Sequence, residues 1–101
     1  MIDAWTVPSV ETVAGWTGVS AARPKRDPGG MAYTGLPDLP PGHVCICVVV
    51  SADGSKCTIE QCDGLADLHS CFGMMHGGRA RSLNWFSVPA TVLNDHRPTR
   101  G

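Results

Sequence analysis

The sequence lacks a surplus of either charge: eight Lys and Arg stand against nine Asp and Glu, a formal net charge of −1 over 101 residues. Nucleic-acid-binding domains usually carry a basic excess that offsets phosphate charge, so nucleic acid is not the expected partner. Long apolar runs are also missing. The longest, residues 44–50, spans seven residues, against the roughly 20 that a bilayer-spanning helix needs. The first twenty residues hold Asp3 and Glu11 and no Lys or Arg, unlike the positive start of a secretory signal, so the expected setting is cytoplasmic with no membrane contact. Catalytic signatures are absent too. No Ser sits in Gly-x-Ser-x-Gly, no Gly-rich phosphate loop occurs, the carboxylates are scattered singly, and no segment repeats.

What is present is turn chemistry and β-branched residues. A chain of this length supports one small domain, and 12 Gly with 8 Pro predict many turns. Residues 21–42 contain five prolines and four glycines and read as a Pro/Gly-rich loop, with at most a short strand at 31–34. Residues 44–50 and 56–61 are β-rich runs flanking Ala52-Asp53-Gly54-Ser55, and Asp-Gly is a preferred centre for a tight hairpin turn. If Asp53 and Gly54 are the two loop residues, Val50 faces Cys57, Val48 faces Ile59, Ile46 faces Gln61 and Cys45 faces Cys62. One face then collects Ile46, Val48, Val50, Cys57 and Ile59. The other collects Cys45, Cys47, Val49, Ser51, Lys56, Thr58, Glu60 and Cys62.

Two helices and a further strand complete the expectation. Residues 64–76 are predicted helical, with Asp63 as cap and Gly77-Gly78 as terminator. Leu65, Leu68, Cys71, Phe72 and Met75 fall within an arc of about 120°, with Ala66, Asp67, Ser70 and Met74 opposite. Residues 82–88 read as a strand ended by Pro89, and 89–94 as one more helical turn. A short N-terminal helix is expected from Pro8 in its first turn and from Val10, Val13, Ala14 and Thr17 at helical spacing. The predicted fold is α+β: a small antiparallel sheet of the central hairpin 44–50/56–61 plus strand 82–88 beside residues 44–50. It is packed with helix 64–76 and the N-terminal helix on opposite faces, within a single domain ending in a loose tail at 96–101.

Five cysteines (45, 47, 57, 62 and 71) are an odd number, so they cannot all pair within the chain. The ordinary reading is small buried hydrophobes. The zinc alternative draws on His43, Cys45, Cys47 and Cys62 on the less apolar face of the hairpin. His69 and His76 lie about 10.5 Å apart along a helix axis and cannot share one ion. A Cys45–Cys62 cross-strand disulfide is a third option, disfavoured in a reducing compartment. A thiol-dependent enzyme would need Cys71 or Cys45 beside His43, His69 or His76.

With no catalytic constellation, the leading expectation is a non-enzymatic protein-binding domain without a cofactor. It would be an accessory subunit, antitoxin or inhibitor that engages a larger protein, such as defence or replication machinery, or a second copy of itself. The residues expected at the contact are Trp5, an aromatic anchor near a terminus, and the loop cations Arg23, Lys25, Arg26, Arg79 and Arg81. The competing expectation is the Cys/His zinc module with nucleic-acid contact.

Overall fold

The computed structural model describes residues 4–98. In chain order the elements are β1 (Ala4–Val7), α1 (Val10–Ala14), β2 (Ser20–Ala21), β3 (Lys25–Arg26), β4 (Tyr33–Gly35), β5 (His43–Ser51), β6 (Cys57–Cys62), α2 (Leu65–His76), β7 (Ala80–Pro89) and α3 (Ala90–His96). Five strands form one antiparallel sheet in the order β1-β6-β5-β7-β2, and β3 with β4 makes a separate hairpin.

The β5–β6 register is the expected one, with Val50 opposite Cys57, Val48 opposite Ile59, Ile46 opposite Gln61 and Cys45 opposite Cys62. The turn that sets it differs. Ser51 N–H donates to the Lys56 carbonyl at 2.9 Å, and Gly54 N–H donates to the Ser51 carbonyl at 2.9 Å, so the loop is residues 52–55. Gly54 alone has positive φ, 76°, whereas two-residue primed turns need it at Asp53. Asp53 has another use. Its Oδ1 accepts from the Ser51 hydroxyl (2.8 Å), the Ser55 amide (3.0 Å) and the Ser55 hydroxyl (2.7 Å). These bonds, led by the Ser55 hydroxyl, hold its carboxyl down at about 2. Lys56 N–H donates to Ser51 Oγ at 3.1 Å, in place of a ladder bond. Both loops share one midpoint, which is why the register survives the change of turn.

Both sheet faces are covered. Ile46, Val48, Val50, Cys57, Ile59 and Val88 pack against Val13 of α1 and Leu93 of α3. Cys45, Cys47, Val49, Cys62 and Ala80 pack against Leu68 and Cys71 of α2, with Tyr33, Leu36 and Leu39 of the Pro-rich segment alongside. The central position of β5 explains its unbroken apolar run, because a strand buried on both faces has no polar parity to keep. β7 lies beside it as expected, Val44 opposite Val88 and Val50 opposite Ser82, with a bulge at Val50/Ser51.

Several elements depart from expectation. Ala4–Val7 is an edge strand on β6, and Ser20–Ala21 caps the other edge at Phe86 and Ser87. Neither is legible in so few residues. The N-terminal helix shrinks to five residues, because Ser9 supplies the cap (its Oγ accepts from Thr12 N–H at 3.2 Å) and Pro8 lies outside. α2 is capped by Gly64 rather than Asp63; Asp67 Oδ2 accepts the Asp63 N–H at 2.8 Å instead. The same helix is turned toward Met74, which joins the core although the spacing put it on the polar side, and Leu65 and Met75 stay exposed. Its apolar arc is wider than the strip of sheet available, and the surplus faces outward. Of the expected tail, Arg97 donates to Gln61 Oε1 at 3.3 Å and its guanidinium lies 5.0 Å from the Trp5 ring centroid; residues 99–101 are outside the described ones. No described helix is long and apolar enough to cross a membrane.

Candidate functional site

The surplus apolar edge of α2 leads to a groove of about 870 Å³ along the outer side of β7. Its position follows from strand lengths. β7 has ten residues and β2 only two, so β2 covers Phe86 and Ser87 and leaves the start of β7 without a neighbour on that side. The last bond of the pairing runs from Ala22 N–H to the Trp85 carbonyl at 2.9 Å. In an antiparallel strand a residue's N–H and C=O point the same way and alternate residues agree. Leu83 therefore presents both groups outward into the groove, as an open strand edge.

The groove walls are aromatic and cationic. Tyr33 meets Phe72 edge-on at 5.1 Å and Trp85 at 6.1 Å. Arg26 stacks over Tyr33, its guanidinium carbon 4.7 Å from the ring centroid, and donates to the Tyr33 hydroxyl at 2.9 Å. Arg23 and Arg81 also line the groove. The Arg81 guanidinium lies close over Gly54, where an added Cβ would come within 2.6 Å of Nη1. No carboxylate lines this groove, and among the described residues the ion pair found is Lys25–Asp38, at 2.9 Å. Arg23, Arg26 and Arg81 thus line one concavity whose lining holds no carboxylate, on a chain whose net charge is −1.

The six residues expected at a contact divide evenly. Arg23, Arg26 and Arg81 come together in the groove. Lys25 is paired with Asp38, exposed Arg79 sits in the α2–β7 connection, and Trp5 lies on the far edge strand, half-buried against the core. Sequence reasoning missed Tyr33, Phe72, Leu83 and Trp85 as groove residues. The available signal was the apolar arc of α2, whose Phe72 and Met75 line the groove.

The second chemical cluster lies beneath α2. All five cysteines are free thiols and buried. Cys71 Sγ donates to Glu60 Oε2 at 3.1 Å and lies 3.9 Å from Cys62 Sγ, and Cys47 packs in the same buried cluster. Hydrogen bonds from Cys47 and then Cys62 pull the Cys71 thiol below its ordinary range, while burial opposes them. Those same contacts, then burial, push Cys47 and Cys62 up. Burial first and Cys71 second raise Cys45 to about 11. Burial, followed by the neighbouring sulfur, raises the Glu60 carboxyl to about 7. Glu60 and Cys71 thus share one negative charge, since two at this separation repel strongly.

His43 remains apart from this cluster, its Nδ1 3.3 Å from the Pro41 carbonyl. Among the described residues, no three His, Cys, Asp or Glu side chains are placed to hold a metal ion, so His43, Cys45, Cys47 and Cys62 do not converge on one point. Comparison with protein-family models, with curated proteins and with solved structures gives no match.

Proposed function

We propose that this protein is a non-enzymatic binding domain that takes an extended, acidic segment of a partner protein as an added strand on the outer edge of β7. The observation that carries this reading is the coincidence of an unpaired strand edge at Leu83 with Arg23, Arg26 and Arg81 in a lining that holds no carboxylate. Main-chain bonds to an edge supply affinity regardless of sequence, and the flanking groups select the side chains that come with it. Carboxylates on alternate residues of the added strand fit the arginines, and the residues between them fit the aromatic wall of Tyr33, Phe72 and Trp85. Single-stranded nucleic acid fits less well. The aromatic rings pack edge-on against one another rather than standing free as stacking platforms.

The test uses a fluorescein-labelled peptide of alternating Glu and Val, read by anisotropy, with amide exchange measured on the protein. Saturable binding is expected, weakening as salt rises, with new protection at the Leu83 amide. The triple variant Arg23→Glu/Arg26→Glu/Arg81→Glu, all exposed positions, should bind at least about tenfold more weakly, a loss of about 1.4 kcal/mol. Protection confined to residues outside β7 overturns the reading. So does tighter binding of a labelled oligouridine, or self-association of the chain through this edge.

A further inference from the structure

The buried thiols belong neither to the groove nor to its contacts, and their arrangement is more than packing. We propose that Cys71 and Cys62 form a peroxide-reactive dithiol site, with Cys71 the attacking sulfur, Cys62 the resolving one and Glu60 the group that handles the proton.

The geometry supplies each part. Glu60 Oε2 lies 3.1 Å from Cys71 Sγ, within reach of the thiol proton, and Cys62 Sγ lies 3.9 Å from the same sulfur. Ionised thiol is the nucleophile in such chemistry, and the thiols of Cys47 and Cys62 favour the ionised form of Cys71. The step balances with hydrogen peroxide as oxidant. Cys71 gives its proton to Glu60 and attacks one peroxide oxygen; the O–O bond breaks, and the departing hydroxide takes the proton back from Glu60 to leave as water. Cys71 is then a sulfenic acid, oxidised by two electrons. The Cys62 sulfur attacks it, the S–S bond forms, the S–O bond breaks, and hydroxide leaves with the Cys62 proton as a second water. Two thiols and one peroxide give one disulfide and two waters.

Cys62 resolves rather than Cys47 because of where each backbone sits. Closing the gap to about 2.05 Å requires one sulfur to move toward the other. Cys47 is in the central strand, held by partners on both sides. Cys62 is the last residue of β6, beside the Asp63-Gly64 connection, and can follow the helix. Access comes from α2 itself. The helix has no side-chain N-cap, carries Gly73 inside, and buries only Leu68 and Cys71. Helices so lightly anchored open locally at a fraction of the global cost, and peroxide is little larger than water.

The full chain, reduced and then desalted, is treated with hydrogen peroxide and mapped by mass spectrometry. The expected product has lost two hydrogen atoms, titrates three thiols instead of five, and returns to the starting mass with dithiothreitol. Trypsin isolates residues 57–79, which hold Cys57, Cys62 and Cys71, from residues 27–56, which hold Cys45 and Cys47. Further cleavage at Glu60 and at Asp63 or Asp67 should free the piece holding Cys57 and leave those holding Cys62 and Cys71 joined by the bond. Glu60→Gln should slow the reaction at least about fivefold and shift its pH profile, a change that loss of packing alone does not produce. A link between the two tryptic peptides overturns the assignment. So does oxidation to higher acids without a disulfide, or an unchanged rate in Glu60→Gln. Because the wild-type map identifies the pair directly, the result stands even where a cysteine variant fails to fold.

Discussion

Glu60→Gln should stabilise the protein above neutral pH and leave it unchanged in mild acid. In the folded chain Glu60 is confined by Cys71 and Asp67 of α2 and by Cys47, its cross-strand partner on β5. Its carboxyl is raised from an ordinary 4.5 to about 7. Below the unfolded value both states hold the proton and the residue costs nothing. Between the two values the unfolded chain has lost the proton while the folded chain keeps it, so wild-type stability falls as pH rises; above the folded value the full cost is present. Taken whole, that shift amounts to about 3 kcal/mol, and because Glu60 is only partly buried, screening reduces the expected effect to about 1–2 kcal/mol. Glutamine keeps the shape and cannot ionise. Urea unfolding of both proteins, with reductant, at about pH 4 and about pH 8 should show coincident midpoints at the first and a variant midpoint higher by about 1 M at the second. Cys71 loses its carboxyl partner in the variant and its own titration moves with it, so the difference reads the Glu60–Cys71 pair rather than Glu60 alone. An equal difference at both pH values refutes the shared-charge picture of Glu60 and Cys71.

Two further substitutions probe the frame. Ser87 is buried with an Oγ that has no hydrogen-bond partner, so Ser87→Ala should raise stability by about 1 kcal/mol, read as a higher urea midpoint. Gly54→Ala places a Cβ at positive φ and against the Arg81 guanidinium. It should cost about 1–2 kcal/mol and, by displacing Arg81, weaken peptide binding at the groove, both measurable on one preparation.

The sheet was legible because its decisive information is local. A turn signal between two β-rich runs fixes the register, and the register fixes which side chains share a face, down to the separation of Cys45, Cys47 and Cys62 from Ile46, Val48 and Val50. The turn type was not legible, because Asp53 uses its carboxylate to organise Ser51 and Ser55 rather than adopting the backbone conformation its pairing with glycine suggests. β1 and β2 escaped for a different reason. Strands of four and two residues have no periodicity to detect, and they exist because β6 and β7 offer them an edge. The groove is a consequence of that shortness. The arginines that form it were visible as loop charges, but their meeting depends on the β3–β4 hairpin bringing Arg26 onto Tyr33. The hairpin face holding Glu60 with three cysteines could be read from alternation. That Cys71 would reach the same point from the helix could not, since spacing gives the orientation of a helix only relative to itself.

One property of β5 reaches beyond its place in the core. Both of its sides are lined with residues of similar bulk, valine and isoleucine on one and cysteine and valine on the other. Most half-buried strands are kept in frame because sliding by one position would turn charge inward. Here a frame-shifted isomer of β5 would still present grease on both sides, and burial alone barely distinguishes it from the native alignment. The task of keeping the frame passes to the four-residue loop, where one aspartate and two serines hold the chain reversal in place. Damage at that loop should therefore surface less as a lower melting point than as a mixture of alignments within one population.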